Sequence, residues 1–383
     1  MAERAYFDWN ATAPLRPQAR AAMLAALDLA GNASSVHAEG RAARRLIEEA
    51  RGQVAALVGA APRYVTFTSG ATEANALALQ PFFAGQRLFV SAVEHPAVKA
   101  GGCFTGNTEL SVDRQGIVDL DALKGALAGA ERPFVSVMLA NNETGVIQPI
   151  AAIADIVHAV DGVLHVDAVQ APGRIDCRLD NLRADMVSLS AHKLGGPQGA
   201  GALVRRTDLR LEPLIRGGGQ ERGLRAGTEN VAAIAGFGAT CAAAAANWRA
   251  EAARMAVLRE RIEAGLRSRL PQAVIFSENV KRLPNTTLFA IPGLKAETAL
   301  IAFDLNGIAL SSGAACSSGK VHASHVLAAM GVEPMLALAA LRISTGYATS
   351  EEDVERLLNA LTKVVSSLLK SHENPGVNSG LAA

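Results

Sequence analysis

Cysteine is scarce in this chain and poorly placed for pairing. Its four residues, Cys103, Cys177, Cys241 and Cys316, show no CxxC and no regular spacing. That speaks against a disulfide framework and a zinc knuckle, and it fits a reducing, cytoplasmic setting. A surplus of charge of one sign is also lacking: the net charge is +1 over 383 residues, with lysine and arginine dispersed rather than blocked. Nothing global therefore calls for nucleic acid or a membrane surface as a partner. The opening MAERAYFDWN has no apolar stretch of the secretory kind. The Ala-rich run AAIAGFGATCAAAAANW is interrupted by glycine and flanked by amphipathic sequence, so it reads as a buried helix. No internal repeat occurs, and neither GxGxxG nor GK[ST] is present, which weakens a nucleotide-binding reading.

What is present is an ordinary globular composition, 50% hydrophobic and 19% charged, on a chain long enough for a large domain and a smaller one. From about Ala60 to Arg206, short β-branched runs alternate with helical patterns. YVTFTSG, RLFVSAVEH, PFVSVMLANNETG, VLHVDAVQ, DMVSLSAHK and GALVRR read as buried strands. This alternation predicts a mostly parallel sheet covered by helices on both faces, with ligands gathering beyond the carboxyl ends of its strands. The polar residues sit at those ends: His95, Asn141, Asn142, Asp167, Gln170, Ser190, His192 and Lys193. After Asn230 a long Ala- and Arg-rich helix running to about Leu270 leads into a second set of elements that ends in the helix EEDVERLLNALTKVVSSLLK.

Three local patterns carry chemistry, each with a plainer counterpart. In FTSGATEAN a strand gives way to a helix at Ala71-Thr72-Glu73; free N–H groups there suit a phosphate, although an ordinary capped turn looks the same. Asp167 and Gln170 end an apolar strand, where a carboxylate needs a cationic or donor partner such as a protonated ring nitrogen, or else caps the next turn. In SLSAHKLGGPQGAG, Lys193 ends a strand before a glycine-rich turn; a desolvated amine there becomes nucleophilic, whereas a solvated lysine would be unremarked. Taken in order, phosphate turn, strand-end aspartate and strand-end Ser-x-His-Lys describe a pyridoxal phosphate site.

The chain resembles the NifS/IscS-like cysteine desulfurases of the class V aminotransferase group. The resemblance rests on YFDWNATAPL, GNASSVHAEGRAAR, TFTSGATEAN, SAVEHPAV, NNETGVIQPI, HVDAVQAPG, LSAHKLGGPQGAGAL, GGGQERGLRAGTEN, SSGAACSSG and LRISTGYAT, in that order along the chain. It implies an α/β fold of type I: a mostly parallel seven-stranded sheet sandwiched by helices, plus a smaller α+β domain. The expected division gives residues 14–251 to the large domain and residues 1–13 with 252–373 to the small one, with 374–383 a flexible tail. It implies pyridoxal 5′-phosphate held as a Schiff base on Lys193. His95 would stack on the ring and move substrate protons, Asp167 would pair with the ring nitrogen, and Gln170 would bond the phenolic oxygen. Ala71, Thr72, Ser190 and His192 would hold the phosphate, and Thr228 would reach the phosphate of the partner subunit in a homodimer. Asn142 and Arg342 would hold the substrate carboxylate, and Cys316 would accept sulfur from L-cysteine as a persulfide and pass it to an iron–sulfur scaffold or another acceptor protein. A selenocysteine lyase or another enzyme of the same cofactor class, and a non-catalytic relative of the fold, are the alternatives.

Small residues flank Cys316, so Ser311 to Val321 is expected to swing between substrate and acceptor. His322 and His325 read as surface or packing residues, since no fourth metal ligand accompanies Cys316; no metal is expected. Cys103, Cys177 and Cys241 read as packing residues, and His37 as part of a loop near the site or an interface. Ala33, Ala76 and the bulky Trp9 depart from the family pattern and put local packing in question.

Overall fold

The computed structural model describes residues 4–313, 316, 317, 320, 321 and 323–373, with the backbone alone at 316, 317, 320, 321 and 370–373. Its larger sheet has seven strands in the order Val65–Thr68, Gly201–Arg205, Met186–Ser190, Val163–Asp167, Phe134–Ser136, Leu88–Ser91 and Asn107–Leu110. Gly201–Arg205 runs antiparallel to both of its neighbours, and every other pairing is parallel. The inner strands are buried along their whole length, as sheets covered on both faces require. Asn107–Leu110, at the edge, is partly exposed and carries no apolar run, which is why sequence reading passed over it.

Helix Ala38–Val58 and the 39-residue helix Val231–Arg269 cover one face, with Ile47, Val54, Phe237 and Cys241 in its core. The long helix starts where the Asn230 side chain accepts the Ala233 N–H at 3.1 Å, an N-cap that satisfies one otherwise unpaired donor. At 1.5 Å per residue it reaches about 58 Å. Its first half packs against the large sheet, and Leu258, Ile262 and Leu266 belong to a second core. Among the described residues this helix alone is long and apolar enough to cross a membrane, and half of that apolar window is buried inside the protein.

The second core surrounds a four-stranded antiparallel sheet, ordered Ser311–Ser312, Ala340–Ser344, Thr286–Ala290 and Val274–Ile275. The N-terminal strand Ala5–Tyr6 pairs in parallel with Ile308–Ala309, and Asp8 bridges Ser344. The chain then runs directly towards the larger sheet. Asn10 Nδ2 donates to Thr286 Oγ1 at 2.9 Å and to the Asn142 carbonyl at 3.1 Å. Residues 5–12 thus stitch the two sheets together at the carboxyl ends of the parallel strands.

Trp9 is buried, its ring edge-on to Tyr347 with centroids 5.1 Å apart and its indole N–H donated to the Tyr6 carbonyl at 3.0 Å. Gly346 lets it fit: a Cβ there would lie 1.9 Å from the indole. Ala33 is buried as well. His37 ends the loop before helix Ala38–Val58 and caps that helix through the Gly40 N–H. Cys177 and Cys241 are buried, but Cys103 is exposed and so is no packing residue. The tail 374–383 lies outside the described residues.

Candidate active site

A cavity of about 790 Å³ opens at the carboxyl ends of the parallel strands. Lys193 enters it from the short turn Ala191–Lys193, one step past the strand Met186–Ser190. Its Nζ donates to the carbonyls of Asn10 at 2.7 Å and Ala11 at 2.8 Å. Both partners are neutral, so nothing in contact offsets its charge. Burial, then Arg342 and Arg174, bring its pKa down to about 8, with Asp8 and Asp167 acting the other way.

Asp167 ends the strand Val163–Asp167 and is buried. One carboxylate oxygen accepts the Val169 N–H at 3.0 Å and the other accepts Asn75 Nδ2 at 2.8 Å. Both of these partners are neutral, which leaves the negative charge uncancelled at the cavity floor. His95 caps the short helix Pro96–Lys99, its Nδ1 accepting the Ala97 N–H at 3.1 Å. That bond assigns the remaining proton of the neutral ring to Nε2. Burial lowers the His95 pKa, with Lys193 and His325 adding to the effect and Asp167 opposing it. His192 is pushed down to about 4 by burial and by Lys193, so it is a neutral hydrogen-bonding group, placed 3.2 Å from Thr12 Oγ1.

Helix Ala71–Ala78 points its N-terminus at the same cavity. Its cap, Gly70, offers no side chain, and the first amide bonded within the helix is that of Ala74. Ala71, Thr72, Ser190 and His192 line this end. A Cβ on Gly70 or Gly199 would meet nothing within 4 Å. Helix N-termini of this kind bind phosphate through free N–H groups and the helix dipole.

At the opposite end Arg342 donates to the Asn142 carbonyl at 2.9 Å and to Asp8 at 2.7 Å. Its Nε is buried without a partner, as is Asn75 Oδ1. Asn142 and Gln170 also line the cavity. An amine of lowered pKa, a carboxylate with neutral partners, a helix N-terminus with free amides and an arginine with a donor to spare fit pyridoxal phosphate carrying an amino acid.

One expected residue stands apart. Thr228 is exposed and lines a neighbouring depression of about 230 Å³, which shares Ser69 and Gly199 with the main cavity. The side chain of Cys316 lies outside the described residues, as does His322. Ser311 and Ser312 pair with Arg342 and Leu341, so the expected mobile stretch begins inside a strand.

The cavity also holds residues that sequence reading missed. His325, expected at the surface or in packing, lines the cavity and bonds the Glu94 carbonyl at 2.9 Å. Glu143 is buried beside Asn142 and accepts Ser324 Oγ at 2.5 Å. Burial pushes its pKa up to about 7 against the pull of Ser324 and Arg342. Its position in NNETG was the available signal, but an acid on a polar turn gives no hint of burial. Glu94, fully buried beside His95, is raised to about 8 by burial, against its bonds from Ser91 and Met138.

The aminotransferase class-V family model matches residues 5–357. A cysteine desulfurase of Cereibacter sphaeroides is 40% identical over 378 residues, covering 96% of this chain and 97% of its own. A cysteine desulfurase IscS of Dictyoglomus turgidum is 39% identical over 379 residues, with 96% of each chain covered. The X-ray structure of a NifS-like protein from Rickettsia africae superposes with a TM-score of 0.89 at 38% identity, covering 95% of this chain and 100% of its own.

Proposed function

The chain belongs to the class-V aminotransferase family, and on that premise we propose that it is a pyridoxal-phosphate-dependent cysteine desulfurase. It takes sulfur from L-cysteine, releases L-alanine and hands the sulfur on from Cys316. The observation that carries this reading is the convergence of Lys193, Asp167, His95 and Arg342 on one cavity with the N-terminus of helix Ala71–Ala78.

Bound there, pyridoxal phosphate supplies an electron sink that acidifies the substrate Cα–H and weakens the Cβ–Sγ bond. Lys193 carries the cofactor, and its amine, poorly stabilised in the charged form, takes and returns the substrate proton. Asp167 would keep a proton on the cofactor's ring nitrogen, and Gln170 would donate an amide N–H to its phenolic oxygen. The amides of Ala71 and Thr72, with Ser190 and His192, would hold the phosphate. His95 would serve the ring face, with Nε2–H available to hold or pass a proton. Arg342 offers its spare Nε–H to the substrate carboxylate beside Asn142. Cys316 supplies the thiol. Substrate sulfur bonds to its Sγ, the Cβ–S bond breaks, and Cβ gains the hydrogen that makes alanine, so that one thiol and one cysteine become one persulfide and one alanine.

We assign residues 14–251 to the cofactor-binding domain and residues 1–13 with 252–373 to the small domain bearing Cys316. We take the working form to be a cytoplasmic homodimer in which Thr228 serves the other subunit's site, with an iron–sulfur scaffold or another thiol protein receiving the sulfur. Cys316→Ser tests the core of the reading: the visible absorbance of the bound cofactor is retained while cysteine-dependent alanine and sulfide release disappear. Persistent sulfide release would overturn it. Running cysteine and selenocysteine side by side separates this reading from a selenocysteine lyase, which would turn over little cysteine.

A further inference from the structure

Arg174 is a buried guanidinium surrounded by neutral acceptors. It lies in the turn after the strand Val163–Asp167 and is 6% exposed. It donates to the Gln170 carbonyl at 3.2 Å, to Gln170 Oε1, to the Trp9 carbonyl at 3.4 Å and to the Lys193 carbonyl at 3.2 Å. None of these partners is a carboxylate. Desolvation of so enclosed a cation is costly, and a counter-ion is the usual compensation. Here the guanidinium keeps its charge without one: burial and then Arg342 press its pKa down to about 9, still above neutrality.

We propose that Arg174 is a positioning residue for the site, orienting Gln170 and holding Lys193 in a positive field that disfavours a second cation there. This rests on the reading of Lys193 as the cofactor-bearing lysine. The orientation follows from donor chemistry. Arginine only donates, so Gln170 must turn its carbonyl oxygen to Arg174 and its amide nitrogen away. That nitrogen donates to the Asn10 carbonyl at 3.0 Å, and Gln170 is itself a wall of the cavity.

The field follows from what surrounds Lys193. Arg342 and Arg174 oppose its charge, Asp8 and Asp167 favour it, and the rings of His95 and His192 also face it. Arg342 contributes more than Arg174, but Asp8 already offsets it at 2.7 Å. A bound substrate carboxylate would offset it further. Arg174 has no such partner, so its field is the one that persists through turnover.

The test is the visible absorbance titration of the cofactor-loaded protein, comparing the parent with Arg174→Lys and Arg174→Gln, both of which keep a donor for the carbonyls. Arg174→Gln is expected to raise the titration midpoint by about one pH unit, while Arg174→Lys stays close to the parent. An unchanged midpoint in Arg174→Gln overturns the proposal, and so does an equal rise in both variants, which would make the role one of packing. If Arg174→Gln does not fold, Arg174→Met takes its place. If no uncharged variant folds, Arg174 serves the fold and the inference is lost. Lys193→Ala separates the two readings: a parent with no titrating band, or a band that survives Lys193→Ala, defeats the assignment of the lysine and not the role of Arg174.

Discussion

At the scale of single residues, the site's main side chains were legible because their chemistry is unusual for their position. A lysine, an aspartate and a histidine at the ends of apolar strands are out of place in a plain core, and Lys193, Asp167 and His95 all line the cavity. Glu143 and Ser324 were not legible, because their contact joins residues 181 positions apart and neither has a local signature. Glu143 gives a pH prediction. Its pKa rises from 4.5 in the unfolded chain to about 7, so the folded protein holds an extra proton between those values. Folding stability therefore falls as pH rises through this window and levels off above it. Glu143→Gln keeps a bond to Ser324 and cannot ionise. It should gain on the parent from pH 4.5 to 7 by up to about 3 kcal/mol, at 1.36 kcal/mol per pKa unit. Denaturant midpoints across that range check it, and a constant difference between the two proteins would refute it.

At the scale of elements, the buried parallel strands and the long helix announced themselves by composition, whereas the edge strand Asn107–Leu110 did not. Edge strands have one unpaired side and need no continuous apolar run, so their pattern merges with loop sequence. The start of the Cys316 segment was misjudged for a related reason. Serine and glycine suggest a free loop, yet backbone pairing pins Ser311 opposite Arg342 whatever the side chains are. The departure at Trp9 proved to be a matched pair with Gly346, at the junction between the strand Ala340–Ser344 and helix Glu351–Glu373. Gly346→Ala forces the indole out of its place, and overpacking of this kind costs about 1–3 kcal/mol. The loss should appear as a lowered denaturant midpoint, and Trp9→Phe in the same chain should recover part of it by making room. Equal stability of Gly346→Ala and the parent would show that the junction yields without strain.

At the scale of the molecule, the proposed dimer gives one exposed residue, Thr228, a part in the site of a second copy of the chain. Thr228 lines the neighbouring depression rather than the main cavity, and the loop that carries it is firmly braced. Glu221 forks with Arg51 at 2.7 and 2.9 Å and accepts the Phe67 N–H at 2.8 Å. Arg225 bonds Glu73 at 3.0 Å, in the first turn of helix Ala71–Ala78. Glu221 and Arg222 both adopt positive φ, a backbone state that side-chain-bearing residues hold only when their surroundings impose it. A loop fixed at such cost and presenting a hydroxyl to solvent is suited to a partner's phosphate. Losing one hydrogen bond to a charged group costs about 1.5–3 kcal/mol, so Thr228→Val should weaken cofactor binding roughly 10- to 100-fold. In a mixed dimer of the proposed kind, this defect and that of Lys193→Ala fall in the same site and leave the other site intact. A chain carrying Thr228→Val paired with one carrying Lys193→Ala forms one complete site, with the intact lysine from the first and the intact threonine from the second. Equal mixtures, dissociated and reassembled at limiting pyridoxal phosphate, should therefore recover activity that neither variant shows alone. If Thr228 served its own subunit, both defects would leave every site incomplete or weakened, and mixing would restore nothing.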